Sequence, residues 1–291
     1  MTKSRREILD TVKAVGFMMG SFHVKQPLPH QRFDNIDPFL LLHHAGPTPY
    51  PAGGKAKDLG VPPHPHRGFE PVTFVYKGGV HHRDSRGNDS VVGEGGVQWM
   101  TAGMGIVHSE RPPKNVAEEG GEQEIIQLWI NLPAKHKMVQ PRYQGLTKEE
   151  IPVVDSGNGA VVQVVAGSLQ GVEGPIETWT SVTALNGTFD AGSSIEIDLP
   201  EGEASLIYVL SGSLSVNGSQ VDALHMVEMG TSGSVEVEAF EESRALILSG
   251  APIGEPVVAS GPFVMNTRTQ IMEAMRDAQM GKMGVLVEEF E

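Results

Sequence analysis

Two stretches of the chain carry residue types that bind metals, at a spacing that lets them act together. One reads His64-Pro65-His66-Arg67-Gly68-Phe69-Glu70, the other Gly103-Met104-Gly105-Ile106-Val107-His108-Ser109-Glu110. In a β-strand, side chains at i and i+2 project from the same face. His64 and His66 therefore point one way from one strand, and His108 and Glu110 do so from another. If the two strands face each other inside a small barrel, three imidazoles and a carboxylate converge. That set holds one divalent metal and leaves positions for water or substrate. A lone His-x-His says little, because surface histidine pairs are common. A second pair of the same spacing, in glycine-rich β-type sequence, makes the pattern specific. The prolines and glycines around both pairs fit tight barrel corners rather than helices.

The elements that must position these side chains read as short strands. Phe17 to Val24 is extended, and Asp37 to His44 is a buried apolar run ending in two histidines. Residues 46–63, rich in Pro, Gly and Ala, are expected to form an irregular surface loop. Strands follow at 72–76, 80–85, 97–100 and 125–131, with a turn at Arg86-Gly87-Asn88. This spacing predicts an all-β fold of two antiparallel barrels with a short C-terminal helix. The second half of the chain repeats the strand pattern of the first, and Leu206 to Leu214 echoes Val72 to Val80. Carried backwards, the echo puts Asp198 and Pro200 where His64 and His66 stand, and His225 has no partner at i±2. The expected division is a metal-binding barrel over 1–142, a barrel without metal ligands over 143–262, and a tail over 263–291. Ser4 to Ala14 reads as weakly helical or irregular. In the tail, Asn266 is a plausible N-cap for a helix over 270–280. Ile271, Met275 and Ala278 would pack one face of it against a barrel.

Composition narrows the function classes. With 291 residues the chain can bury two cores, and its 35 glycines and 20 prolines are spread along it as turn formers. A net charge of −14 repels nucleic acid. The chain has no cysteine, which excludes disulfides, thiolate ligands and cysteine nucleophiles. No signal peptide or membrane span is apparent, so a cytoplasmic monomer is expected.

At these motifs the sequence resembles the pirin family, a branch of the cupin superfamily. The matching segments are 37–41, 64–70, 98–103, 105–110, Gln127-Leu128-Trp129-Ile130-Asn131-Leu132 and Gly261-Pro262-Phe263-Val264-Met265-Asn266-Thr267. The resemblance implies a bicupin whose first barrel holds one metal on His64, His66, His108 and Glu110. Cupins in general draw a glutamate from the first motif instead, which here would be Glu70; a salt bridge or supporting contact is the expected role of Glu70. Some pirins open a flavonol ring with O₂. Others serve as nuclear cofactors of transcription regulators, with iron as a redox switch. His43-His44 stands where those eukaryotic members carry acidic residues, so the bacterial type is the better match.

The resemblance thus implies a dioxygenase acting on a small phenolic substrate and O₂. Fe(II) is the favoured ion, while Mn, Co, Ni, Cu or Zn would suit the same ligands. Glu110 could take the proton of the flavonol hydroxyl as a general base. His44, His82 and Gln98 are candidates to hold the imidazoles from behind. Arg83-Asp84 reads as an exposed ion pair. The competing reading is a metal-ordered surface that contacts a protein partner, a transcription regulator or a metabolic enzyme.

Overall fold

The computed structural model describes residues 4–20 and 22–290; Met1, Thr2 and Lys3 of the charged N-terminal stretch lie outside it. Contacts divide the chain into two units. One comprises Met18–Val24, His43–Glu149 and Ile253–Glu291, the other Met1–Phe17, Lys25–Leu42 and Glu150–Pro252. Among the described residues no helix is long and apolar enough to cross a membrane.

In chain order the first half forms β1 (Ile8–Lys13), β2 (Val15–Met19), β3 (Phe22–Leu28), β4 (Phe39–Tyr50), β5 (Val61–His66), β6 (Phe69–Lys77), β7 (Gly79–Asp84), β8 (Asp89–Gly93), β9 (Val97–Thr101), β10 (Ile106–Arg111), the short helix α1 (Lys114–Glu119), β11 (Gly121–Asn131) and β12 (Arg142–Leu146). Two sheets result: a large one in the order β12-β9-β6-β11-β4-β3-β2 and a small one in the order β5-β10-β7-β8. They make an antiparallel jelly roll rather than one closed barrel. β6 and β11 are β-branched and aromatic runs, which suits a pleated, buried ladder. Their two faces differ by the period of two. Val72, Phe74, Ile126, Leu128 and Ile130 form one apolar, buried face, while Thr73 and Gln127, paired across the ladder, project from the other.

The second unit repeats this arrangement. Ser194–Asp198, Ser234–Ala239, Ser213–Val216 and Ser219–Asp222 form its small sheet. Its large sheet begins with β1 and continues through His225–Met229 and Ala204–Ser211. Val237 takes the register position of Glu110, since it pairs with Val216 as Glu110 pairs with His82. Two residues earlier Val235 pairs with Ile197, as His108 pairs with His64. Ile197, Val235 and Val237 belong to an apolar core and offer no ligand atom. The ladder thus shifts the expected correspondence by one residue, because Asp198 pairs with Ser234 instead.

Three local expectations need correction. Ser4 to Ala14 is no helix: Ile8–Lys13 is the strand β1, pairing with His225–Met229. Arg6, just before it, is buried and donates to the carbonyls of Leu199, Glu203, Gly230 and Gly233 at 2.9–3.1 Å. A pairing so remote in sequence leaves no local signal. Residues 46–63 are more regular than a loop, since β4 continues to Tyr50 and β5 begins at Val61. The C-terminal helix α2 (Arg268–Gln279) is capped by Thr267, not Asn266: Thr267 Oγ1 accepts from the Gln270 amide at 3.2 Å, and Gln270 Oε1 accepts from the Thr267 amide at 3.0 Å. Its buried face is Ile271 and Ala274, with Ala278 packed alongside, whereas Met275 is 38% exposed.

Candidate metal centre

The ladder between β5 and β10 places His64 directly opposite His108, with His66 opposite Ile106. The three imidazoles come together: their ligand atoms all lie within 4.8 Å of one another. Ring centroids are 4.7 Å apart for His64 and His66, 4.4 Å for His64 and His108, and 5.0 Å for His66 and His108. The turn after β5 is fixed by close approach. Gly68 (φ +89°) lies so near the Val264 carbonyl that an added Cβ would meet its oxygen at 2.0 Å. Lys137 Nζ closes the same corner, donating to the Gly68 and Val264 carbonyls and to Asn131 Oδ1 at 2.8, 3.1 and 2.6 Å. Burial pulls this ammonium down to about 8, against the attraction of Glu255.

Hydrogen bonds on the back of each ring decide which nitrogen faces the centre. His64 Nδ1 lies 2.8 Å from the Pro62 carbonyl, and His66 Nδ1 lies 3.3 Å from the Pro262 carbonyl. A carbonyl only accepts, so both Nδ1 atoms carry a proton, and the ring nitrogen with a lone pair to offer a metal is Nε2. His108 is set by a longer chain. Its Nδ1 is 3.4 Å from His82 Nδ1, and His82 Nε2 is 3.0 Å from Asp84 Oδ2. Burial alone would raise the Asp84 carboxyl. Hydrogen bonds from His82, from Asn88 Nδ2 and from the amides of Arg86 and Asn88 hold it below its ordinary value instead. Asp84 Oδ2 accepts a hydrogen bond from His82 Nε2–H, and His82 Nδ1 then accepts one from His108 Nδ1–H. His108 Nε2 is left with a lone pair and has no hydrogen-bond partner among the described residues. Burial, reinforced by the neighbouring imidazoles, holds His66 and His108 well below the ordinary histidine range, so both stay neutral. Three inward lone pairs, one of them buried and orphaned, fit a bound metal ion.

Glu110 stands outside that cluster of three, though its carboxylate is held firmly. Its Oε1 accepts from Thr73 Oγ1 at 2.9 Å and from Gln98 Nε2, and its Oε2 accepts from Gln127 Nε2 at 3.0 Å. These donors form a row across three strands of the large sheet, since Gln127 pairs with Thr73 and Thr73 with Gln98. A carboxylate offers about four lone-pair sites, so three donors leave one free. Thr73 and Gln127 were missed in the sequence. Their signal was a single polar residue inside an apolar strand, in Val72-Thr73-Phe74 and Ile126-Gln127-Leu128.

The other candidates sort by face. His82 stands behind His108 as expected, with Tyr143 stacked on it at 4.2 Å, whereas Gln98 holds no imidazole and bonds Glu110 and Thr73 instead. His44 is committed elsewhere, to Glu124 Oε1 at 3.0 Å. Glu70 is three residues from Thr73 in one strand, so it projects from the opposite face of the sheet. There Thr101 Oγ1 donates to it at 2.5 Å, and burial pushes its carboxyl up to about 7. Arg83-Asp84 is not an ion pair: Arg83 bonds Asp89 at 3.0 Å, and Asp84 is buried against His82. Beside His66 stands an aromatic wall, with Trp129 at 5.5 Å and Phe69 at 5.1 Å between ring centroids.

Two jelly rolls of one topology, with a histidine cluster inside the first, define a bicupin. Two family models match the chain: Pirin over residues 21–130 and the Pirin C-terminal cupin domain over residues 184–284. A pirin-like protein of Caulobacter vibrioides is 41% identical over 252 residues, covering 85% of this chain and 87% of the relative. The human protein named Pirin is 35% identical over 268 residues, covering 90% of this chain and 88% of its own. The crystal structure of quercetin 2,3-dioxygenase from Acinetobacter baumannii superposes with a TM-score of 0.90 at 34% identity, covering 98% of this chain and all of that one. The chain belongs to the pirin family.

Proposed function

We propose that this protein is a metal-dependent dioxygenase that opens flavonol-like phenols with O₂. The observation that carries the reading is the convergence of three Nε2 lone pairs, each fixed by a hydrogen bond behind its ring. His64, His66 and His108 would hold one divalent transition metal, Fe(II) first among them, and Glu110 would be the fourth ligand through its remaining lone pair. Three neutral imidazoles and one carboxylate leave open positions, as in non-haem iron oxygenases. When bound, the metal acidifies a coordinating hydroxyl and links the substrate electronically to O₂. Glu110 has a second task, as the acceptor of the flavonol hydroxyl proton at Oε2, where the Gln127 bond gives way to it. Thr73 and Gln98 keep the carboxylate aimed through Oε1 while it does so. Trp129 and Phe69 offer the substrate ring an apolar face beside His66. The similarity to a quercetin 2,3-dioxygenase over nearly the whole fold supports this substrate class.

The test is Glu110→Gln, assayed for metal stoichiometry and quercetin-dependent O₂ uptake on one preparation. Loss of a general base lowers the rate about 10²–10⁴-fold, and we expect that loss to exceed any loss of metal. Full activity at full occupancy removes the base role. Wild-type protein inert after reconstitution with Fe, Mn, Co, Ni and Cu in turn rules out the enzyme reading.

A further inference from the structure

The segment after α2 runs along the back of the small sheet, behind the strand that carries His108 and Glu110. Its contacts fall on the alternate residues of β10 and the turn before it. Met283 packs so closely on Gly105 (φ +129°) that an added Cβ would meet Met283 Cγ at 2.5 Å. Ser85 Oγ donates to the Met283 carbonyl at 2.8 Å and accepts from the Val107 amide at 3.1 Å. At the far end Glu288 receives two bonds from Arg111, Nε to Oε1 at 3.1 Å and Nη2 to Oε2 at 2.7 Å. Both side chains are shielded, at 9% and 6% exposure. The ring of Phe290 lies under the guanidinium groups of Arg83 and Arg111, at 5.4 and 5.8 Å.

The place where this grip falls matters. The β10–β5 ladder is regular from Ile106 to His108, then shifts register, with the extra residue in β5 between Val61 and His64, while β10 keeps unbroken pairing with β7 from His108 to Arg111. A bulge leaves ladder bonds unmade, so β10 is held less on its β5 edge than on its β7 edge. Arg111 spans that gap: its Nη1 donates to the Leu59 carbonyl, just before β5, at 2.7 Å. The Arg111 side chain is in turn fixed by the two-pronged bond to Glu288, a geometry that sets direction as well as energy.

We propose that the acidic C-terminal tail is a strap that fixes β10, with Glu288 as a positioning residue for the metal centre acting through Arg111 on the adjacent Glu110. This rests on the reading of the histidine cluster and Glu110 as metal ligands. The strap takes over on the β5 edge, where the bulge interrupts the ladder, so the placing of Glu110 against the β5 histidines depends on it. Without the strap a metal would still meet three histidines, but the fourth ligand would wander.

The experiment uses full-length wild type, Glu288→Gln, Glu288→Asp, a chain ending at Val287, and Glu289→Gln as the exposed neighbour. Each is loaded with Co(II); its visible spectrum is recorded, and release into a chelator is timed. Partners behind metal ligands commonly change affinity by about 10–100-fold, so Glu288→Gln and the shortened chain should release Co(II) at least about tenfold faster. Their ligand-field bands should shift as well. Glu288→Asp should recover part of the effect, and Glu289→Gln should match wild type. Release and spectrum unchanged in both Glu288→Gln and the shortened chain overturn the proposal, even if their melting temperatures fall. Wild type that takes up no Co(II) overturns the metal reading itself, and this proposal with it.

Discussion

Asp84→Asn should reach the metal centre through two rings without altering any proposed ligand. In the native site Asp84 Oδ1 accepts from the amides of Arg86 and Asn88 at 2.8 and 3.1 Å, while Oδ2 faces His82 Nε2 at 3.0 Å. An asparagine would keep its carbonyl oxygen on the two amides and turn its NH₂ toward His82. That NH₂ would then face two donors, His82 Nε2 and Asn88 Nδ2, of which Asn88 can answer by turning its amide over. His82 relieves this by moving its proton to Nδ1, which confronts His108 Nδ1. His108 must in turn carry its proton on Nε2, where the metal should bind. Hydrogen bonds to charged groups are worth about 1.5–3 kcal/mol, and each 1.4 kcal/mol is a factor of ten, so the metal Kd should rise about 10- to 150-fold. The assay is competition with a chromophoric chelator at neutral pH, with Asp89→Asn as control, because Asp89 bonds Arg83 and His81 at the surface. An Asp84→Asn protein with native circular dichroism and a Kd within twofold of wild type would refute the tautomer chain.

Other outcomes follow from the same structure. Replacing His64, His66 or His108 by Ala should abolish tight metal binding, while His225→Ala should leave metal content at one per chain; elemental analysis decides both. Metal-free protein should lose stability as the pH falls through about 6.5. Burial lowers His43 to about 4 and holds His66 and His108 below their ordinary value, so the unfolded chain takes up protons that the folded one refuses. His43 alone accounts for about 3 kcal/mol by pH 4, and a denaturation midpoint that stays flat from pH 7.5 to 5 would contradict this. Glu70 has the opposite sign: its buried carboxyl, pushed up to about 7, costs stability as the pH rises from the unfolded value through 7. Glu70→Gln should therefore raise the urea midpoint at pH 8, do little at pH 5 and leave metal content unchanged.

The three histidines that come together were legible in the sequence because their information is local. His64-x-His66 and His108-x-Glu110 state a shared strand face in three letters each, although Glu110 lies outside the cluster of three. Much of what surrounds them was not legible, because it is encoded by pairing. Gln98 could be named as a candidate, but Thr73 and Gln127 come from two other strands and join it in one row only when the ladders set their register. Asp84 looks like half of a surface pair in Arg83-Asp84, yet alternation sends the two side chains to opposite faces. β1 escaped notice because its pairing partner lies at the other end of the chain. The echo between the two halves was real but one residue out, since the loops before the equivalent strands differ in length.

The Pro262 carbonyl behind His66 has a consequence for biosynthesis. Donor and acceptor are 196 residues apart, and Lys137 reaches far forward as well, to the Val264 carbonyl. On a ribosome the chain emerges from its N-terminus, and units fold as their last strand becomes available. The unit without the histidine cluster has its whole sequence by Pro252, whereas the unit that carries the cluster still waits for Ile253–Glu291. The half that carries the histidine cluster is therefore completed after the other. His64 and His66 stay exposed in the nascent chain until the final segment arrives to lock one of them. An ion captured before that moment would meet a mobile pair of imidazoles rather than the folded cluster.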